Sequence, residues 1–349
     1  MAAPATGPLP PIQRASFAGA LPRAAALLLT SAVLVALTTL VGYSPETRSP
    51  SVGVPPSEIL YSFRLPRAAL AAVAGAALAL GGVVFQSIFR NPLATPYTLG
   101  IDAGAALGAA IGFLTLSSTT LAAFTLWGVT FEYSRLTLLA LAGAIGAIAL
   151  VYLMSRLRGG HDLTRLLLGG VCISYLAAAG IMLATYLANR AITNEILYWI
   201  MGSLARHRPA AVLEITAILI PVAALMLMLH RALDLLAMGD VMAAARGVAV
   251  GRVIWSCLLS VGLLTAAVVA HCGPIGFVGL MIPHLCRAWV GPRTAPLLLA
   301  SIAAGAAFLA VCDAAARSLS AYEVPVGVIT NILGAGFFFW LLATADRRG

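Results

Sequence analysis

The chain has 349 residues, of which 61% are hydrophobic and only 9% are charged. A soluble domain averages about 25% charged residues, so this composition excludes a soluble enzyme and a disordered chain. The basic residues are 21 arginines and no lysine, and with 12 acidic residues the net charge is +9. The arginines separate apolar runs and form no basic stripe, which argues against nucleic-acid binding. The composition predicts an all-α membrane protein in contact with lipid.

Long stretches without charged residues locate the predicted membrane helices. They lie at 24–45, 68–89, 103–131, 136–155, 166–189, 215–230, 253–286, 294–312 and 324–345. The stretch 253–286 would be about 51 Å long as a helix, whereas a span needs only about 30 Å. Gly273 and Pro274 interrupt it, so we divide it into two helices, of which the second ends near Val290. The prediction is ten transmembrane helices.

The predicted organisation is one membrane domain at 24–345 with short tails at 1–23 and 346–349. Ten spans place both tails on the same side of the membrane. The cytoplasm is the favoured side because it receives 13 of the 21 arginines. The first apolar stretch has 22 residues and follows a proline-rich segment. It is too long for the core of a signal peptide, so we interpret it as an uncleaved first span.

The residue pattern favours transport over catalysis. The five cysteines lie in or beside apolar runs without metal-ligand spacing, and no catalytic motif is present, so we predict neither a metal site nor enzyme activity. A nucleotide-binding loop of the Walker A type needs a lysine, so we expect no ATP binding by this chain itself. An ion-coupled secondary transporter is the alternative from another class. It would need buried ionisable pairs and an inverted repeat, and neither is evident.

Five motifs follow one another between Arg64 and Leu342. They are Arg64–Arg67, Gln86–Pro96, Leu99–Gly104, Gly273–His284 and Val324–Thr330. In this order and spacing they resemble the permease subunits of type II ABC importers, the FecCD family, which take up iron-siderophores, haem and vitamin B12.

The resemblance implies the ten-helix permease fold of that family and a bacterial inner (plasma) membrane location. It also implies a second copy of the chain, two cytoplasmic ATPase subunits that bind ATP and magnesium, and a periplasmic substrate-binding protein. No cofactor is expected in this chain. An iron-siderophore or a related metal chelate is the first substrate expectation, and haem or vitamin B12 is the alternative.

The resemblance also assigns candidate sites at both membrane faces. Arg64, Arg67 and Arg317 are expected to meet carboxylates of the binding protein, since guanidinium groups pair bidentately with carboxylates. The alternative is that they extend to the lipid headgroups. Asn91, Leu93 and Thr164 are expected to line a cytoplasmic gate, and the alternative for the Asn91–Leu93 segment is a plain tight turn.

The cytoplasmic loop at about 233–250 matches the family's ATPase-coupling segment. The matching residues are Gly239, Asp240, Ala243, Gly247 and Val248. Arg246 is a departure, since the family usually has Leu at this position. We expect a short helix that ends at Gly247 and seats in a groove of the ATPase. A surface helix without a partner is the alternative.

Histidine and aspartate residues within the apolar runs complete the candidates. His271 lies beside the Gly273-Pro274 break, where it either contacts an iron chelate in transit or donates to a carbonyl that the break leaves free. We predict packing for His284, and helix capping or pairing between helices for Asp102 and Asp313. Gly336 replaces a proline that is common in the family, so a softer kink is expected there.

Overall fold

The protein is described by a computed structural model at residues 17–44, 49–115, 120–126, 129–156, 163–205, 209–319 and 323–345. Residues 1–16 and 346–349 of the predicted tails lie outside the described residues. The described part is mainly helical, as the composition predicts.

The α-helices, in chain order, are α1 (Phe17–Thr38), α2 (Ser57–Ile59), α3 (Leu65–Phe89), α4 (Ile101–Thr115), α5 (Arg135–Arg156), α6 (Leu163–Leu187), α7 (Arg190–Ile200), α8 (Pro209–Met228), α9 (His230–Met238), α10 (Asp240–Ala245), α11 (Val250–Cys272), α12 (Val278–Val290), α13 (Thr294–Ser318) and α14 (Val326–Ala345). A π-helical stretch, Leu60–Arg64, joins α2 to α3, and a 3-10 turn, Pro96–Leu99, precedes α4. Two antiparallel hairpins pair β1 (Val41–Ser44) with β2 (Ser49–Val52) and β3 (Thr120–Leu126) with β4 (Val129–Ser134).

Each predicted apolar segment contains a helix. Within the described ranges, seven helices are long and apolar enough to cross a membrane, and the first of them is the continuous helix Ser57–Phe89. Three further apolar helices are shorter, namely residues 22–38 of α1, α4 and α12. The structure therefore supports a polytopic membrane protein, and α4 and α12, with 15 and 13 residues, are shorter than a full span.

Glycine and alanine let the central helices approach closely. α3 and α13 pack along their lengths, and a Cβ atom on Gly75 would overlap the carbonyl oxygen of Gly305. Gly104 and Gly143 make the same kind of contact between α4 and α5. Without a hydrophobic driving force between helices in lipid, close van der Waals contact of small residues supplies the packing energy.

Two helix ends differ from the sequence prediction. The charge-free run 103–131 was predicted as one span, but α4 ends at Thr115 and the hairpin β3–β4 follows. The sequence at 117–120 is Ser-Ser-Thr-Thr, whose hydroxyls favour turns over helix interiors. Similarly, α1 ends at Thr38 instead of continuing to residue 45, and the hydroxyls of Thr38 and Thr39 bond back to the carbonyls of Val35 and Ala36.

The predicted break near Gly273 is confirmed. α11 ends at Cys272, Gly273 adopts a φ of +69° that favours glycine, and α12 begins at Val278. The carbonyl of Cys272 accepts a hydrogen bond from the amide of Ser203, which follows α7. α14 runs without a break through Gly336.

Candidate functional site

A buried ionic cluster lies where α3 begins and α13 ends. Arg67 of α3 contacts Asp313 of α13, with its Nη2 2.9 Å and its Nε 3.0 Å from Oδ1. The Nη1 atom of Arg67 lies 2.7 Å from Glu323, just ahead of α14. Asp313 is only 1% exposed, so the neighbouring guanidinium compensates a carboxylate that would otherwise be costly to bury. The predicted pairing of Asp313 between helices is confirmed.

Arg317 and Arg64 hold the end of α1 against this cluster. Arg317 is buried, its Nη2 donates to the carbonyl of Thr38, and its Nε lies 3.7 Å from Asp313. Arg64 is half-buried, and its Nη1 donates to the carbonyl of Thr39 at 2.9 Å. Carbonyls at a helix C-terminus lack partners within the helix, so these arginines supply the missing donors.

The structure thus brings together the three arginines that the resemblance assigns to docking. Arg67 and Arg317 are buried and have partners inside the chain, whereas Arg64 retains more exposed surface. Their role in docking stays a prediction. Glu323, whose side chain is 43% exposed, was missed in the sequence because a single acid before α14 carries no motif.

His271 pairs with a carboxylate that the sequence does not indicate. Its Nε2 lies 2.8 Å from Oε2 of Glu214 on α8, and both side chains are mostly buried. The predicted carbonyl partner is therefore replaced by Glu214, and contact with a substrate stays a prediction. Glu214 lies 57 residues away along the chain, so no local spacing signals the pair.

The segment between α3 and α4 combines a tight turn with the 3-10 turn that follows it. α3 ends at Phe89, and Arg90 after it is a non-glycine residue with a φ of +50°. Asn91 then accepts a hydrogen bond from the amide of Leu93 through its side chain at 2.9 Å, which closes a local turn. Pro96 packs beside Gly81 of α3, and Gly100 lies against Gly170 of α6.

The predicted gate residues lie at the ends of these elements. Asn91 is half-buried and Leu93 is 54% exposed, so the leucine presents its side chain outward from the turn. Thr164 is exposed in the first turn of α6. The turn itself is present as predicted, and the gate role of the three residues stays a prediction.

The break between α11 and α12 ends with a residue in an uncommon backbone conformation, and a proline follows inside α12. Phe277 precedes α12 with a φ of +64°, and it is one of two non-glycine residues with positive φ in the described part of the chain. Inside α12, Pro283 lacks an amide hydrogen, so the carbonyl of Gly279 loses its helical partner. Gln86 of α3 donates to that carbonyl at 3.2 Å.

Gln86 also bonds to an arginine of α12. Its Oε1 accepts from Nη2 of Arg287 at 2.9 Å, which fixes the orientation of the amide because the guanidinium needs an acceptor and the carbonyl a donor. His284 packs edge-on against Phe337 of α14 with ring centroids 5.7 Å apart, as expected for a packed histidine.

The segment between α3 and α4 meets the break between α11 and α12 inside the bundle. The hydroxyl of Tyr97 accepts a hydrogen bond from the amide of Ile275 at 3.0 Å. Beside this bond lies a cavity of about 190 Å³. Its lining residues are Leu78, Thr95, Pro96, Tyr97, Ile275, Gly276, Phe277, Gly279 and Leu280.

The predicted coupling segment forms two short helices. Gly239 separates α9 from α10 with a φ of +126°, and Gly247 follows α10 with a φ of +81°, which confirms the expected end at glycine. Ala243 is fully buried, whereas Val241 is 83% exposed. Asp240 lies 3.6 Å from Arg90, so this segment contacts the end of α3.

Arg246 and Val248 complete the segment. Arg246 is exposed in the turn after α10, and the amide of Val248 donates to the carbonyl of Ala243 at 3.0 Å. On α9, Asp234 accepts from both the amide and the hydroxyl of Thr294, at 2.8 and 2.6 Å, and so caps α13. This cap was missed because Asp234 precedes Thr294 by 60 residues.

No group of three or more His, Cys, Asp or Glu residues within the described ranges has a metal-binding arrangement. The five cysteines are free thiols, and four of them are buried.

Comparison with known proteins gives close relatives over most of the chain. The sequence pattern of the FecCD transport family matches residues 24–344. The hemin transport system permease HmuU of Yersinia pestis is 37% identical over 286 residues, which cover 81% of this chain and 83% of that protein. The Fe(3+) dicitrate permease FecD of Escherichia coli is 38% identical over 288 residues, covering 81% and 85%. The cobalamin permease BtuC of Halobacterium salinarum is 37% identical over 304 residues, covering 87% and 76%.

Solved structures share the fold. A metal-chelate-type ABC transporter in an inward-facing conformation matches with a TM-score of 0.78 and 31% identity, over 92% of this chain and 99% of that chain. PsaBC from Streptococcus pneumoniae matches with a TM-score of 0.55 and 15% identity, over 81% of this chain and 92% of that chain, which shows similarity of fold alone.

Proposed function

This chain belongs to the FecCD transport family, and we propose that it moves a metal chelate inward across the bacterial inner membrane. It is a permease of an ABC importer, a transport component and not an enzyme. ATP and magnesium bind a separate ATPase subunit. The observation that supports the proposal most directly is the exposed surface of the α9–α10 segment, which offers a binding site for that ATPase.

The surface of α10 has the chemistry of a docking element. Val241 and Met242 are exposed next to Met238 at the end of α9, while Ala243 anchors the helix to the bundle. Exposed apolar side chains on a short anchored helix suit a groove in a partner protein. Arg246 extends this surface and pairs with an acidic residue of the ATPase.

The opposite end of the bundle receives the substrate-binding protein. Arg64 is the best candidate for direct contact, because Arg67 and Arg317 are buried with Asp313. Replacing Arg64 by Glu weakens docking of the binding protein at low salt, since charge reversal turns attraction into repulsion. The matched control is Arg135→Glu, a charge reversal at the first residue of α5. Equal affinities for both variants would contradict the role of Arg64.

The assembly contains two copies of this chain, each with ten spans and both termini in the cytoplasm. The three short apolar helices cross the membrane together with the seven long ones. α6 and α14 leave large apolar side chains exposed, among them Tyr175, Tyr186, Phe339 and Trp340. Such surfaces contact lipid or the second copy.

The substrate is an iron-siderophore or a related chelate, with haem and vitamin B12 as the alternatives. The named functions of the similar permeases, which include hemin, Fe(3+) dicitrate and cobalamin transport, support this range. Ligand screening of the cognate binding protein identifies the chelate.

Transport by the reconstituted importer tests the proposal. The permease, its ATPase and its binding protein are placed in liposomes, and uptake of ferric siderophore, haemin and cobalamin is measured with and without ATP. Uptake of one chelate that requires both ATP and the binding protein is the expected result. Uptake that persists without ATP and follows a proton gradient would instead indicate a secondary transporter.

A further inference from the structure

Two connecting segments of the bundle meet at a hydrogen bond. One segment runs from Asn91 to Gly100 and leads from the end of α3 into α4. The other runs from Gly273 to Phe277 and joins α11 to α12. The hydroxyl of Tyr97 accepts from the amide of Ile275, 3.0 Å away, although 178 residues separate them.

A residue with backbone strain lies at one end of each segment, next to a helix. Arg90 precedes the first segment with a φ of +50°, and Phe277 closes the second with a φ of +64°. Side-chain-bearing residues adopt this region at a cost, which persists only where surrounding contacts maintain it. Strain at both segments marks them as places where the backbone can change conformation.

A pocket lies beside the bond. It has a volume of about 190 Å³ and is lined by Thr95 and Pro96 of the first segment and by Gly276 and Phe277 of the second. Atoms that face the pocket lack van der Waals partners on that side. The bond from the Ile275 amide to the Tyr97 hydroxyl is a polar connection between the two segments.

The second segment in turn contacts two other helix ends. A Cβ atom built on Gly202, after α7, would overlap the carbonyl oxygen of Pro274. A Cβ atom built on Gly327, at the start of α14, would lie 3.3 Å from the same oxygen. A movement of the 273–277 segment would therefore also displace the ends of α7 and α14. Asn91 and Leu93 lie at the other end of the first segment.

We infer that Tyr97 is a positioning residue, whose bond to Ile275 holds the Asn91–Gly100 segment against the α11–α12 break and couples the two segments. This inference rests on the proposed function as an importer, with the predicted gate at Asn91 and Leu93. A hydrogen bond that is made in one conformation and lost in another changes their ratio by about three- to tenfold.

Hydrogen exchange of the permease–ATPase complex in lipid nanodiscs tests this role. Tyr97→Phe removes one oxygen atom, and Tyr186→Phe is the matched control because Tyr186 is 85% exposed. The expected result is exchange about three- to tenfold faster in peptides from both 273–277 and 91–100. The control variant leaves both peptides unchanged.

Three outcomes would overturn the inference. Faster exchange limited to 273–277 would show a local bond, and unchanged exchange at both segments would show that the bond has no holding role. Faster exchange that extends into the core of α13 would show general destabilisation. All three outcomes are measured by hydrogen exchange and do not depend on transport. They are therefore distinct from a failure of ATP-dependent uptake, which would contradict the proposed function itself.

Discussion

Asp313 shows how single residues decide stability in this bundle. Its carboxylate is 1% exposed and lies beside the guanidinium groups of Arg67 and Arg317. Asp313→Leu leaves the buried Arg317 without its carboxylate partner and Arg67 with only the half-exposed Glu323, so we expect a loss of about 3–5 kcal/mol of stability. Thermal unfolding of the detergent-solubilised permease measures this loss.

The matched control is Glu323→Gln, which removes the other carboxylate that contacts Arg67. Glu323 is 43% exposed, and pairs of this kind contribute only about 0–1 kcal/mol. Equal losses for the two variants would show that burial does not set the energy of this cluster.

Gln86 is the second residue whose role depends on its surroundings. It donates to the Gly279 carbonyl that Pro283 leaves free and accepts from Arg287. Gln86→Leu leaves both groups without this partner, and we expect a loss of about 1–3 kcal/mol in thermal unfolding. Ser87→Ala is the control, since the hydroxyl of Ser87 donates within α3, to the carbonyl of Val83. A neutral Gln86→Leu variant would show that water replaces the side chain.

At the scale of elements, the conformation of Gly247 controls the end of α10. Nothing lies within 4 Å of a Cβ atom built on either Gly247 or Gly146, but only Gly247 has a positive φ. Gly247→Ala therefore costs about 1–2 kcal/mol through backbone strain alone, while Gly146→Ala in the middle of α5 is neutral or stabilising by up to about 1 kcal/mol.

The consequence for the element is a loss of partner binding. We expect Gly247→Ala to reduce co-purification of the ATPase, because the turn that orients α10 changes, whereas Gly146→Ala co-purifies normally. Normal ATPase association of both variants would exclude α10 as the docking element.

At the scale of the whole molecule, α13 connects the two faces. Its N-terminus is capped by Asp234 from α9, and its C-terminal turns carry Asp313 and Arg317. Asp234→Ala removes the cap at a cost of about 0.5–2 kcal/mol. We expect this variant to retain the ATPase but to lose stimulation of ATP hydrolysis by the binding protein.

The Asp234→Asn variant is the control, because its side-chain oxygen still accepts hydrogen bonds from Thr294. Comparison of stimulated and basal hydrolysis in liposomes gives the answer. Full stimulation in Asp234→Ala would show that the α9–α13 contact is structural only.

Much of the architecture follows from the chain alone. Each apolar segment contains a helix, and seven helices within the described residues are long enough to cross a membrane, because a span requires a minimum apolar length. The Gly273-Pro274 break is also present, because proline removes a backbone donor. The helix end at Gly247 was equally predictable from the preference of glycine for positive φ. The hairpin at 120–134 was not, since an apolar run without charges does not distinguish strand from helix.

The contacts that define the site were decided by tertiary structure. Tyr97 with Ile275, Glu214 with His271, and Gln86 with Gly279 join positions that lie 178, 57 and 193 residues apart. Local periodicity determines which residues form helices, because backbone hydrogen bonds and apolar spacing act over a few residues. Which side chains meet depends on how the helices pack, and only the assembled bundle brings these partners within hydrogen-bonding distance.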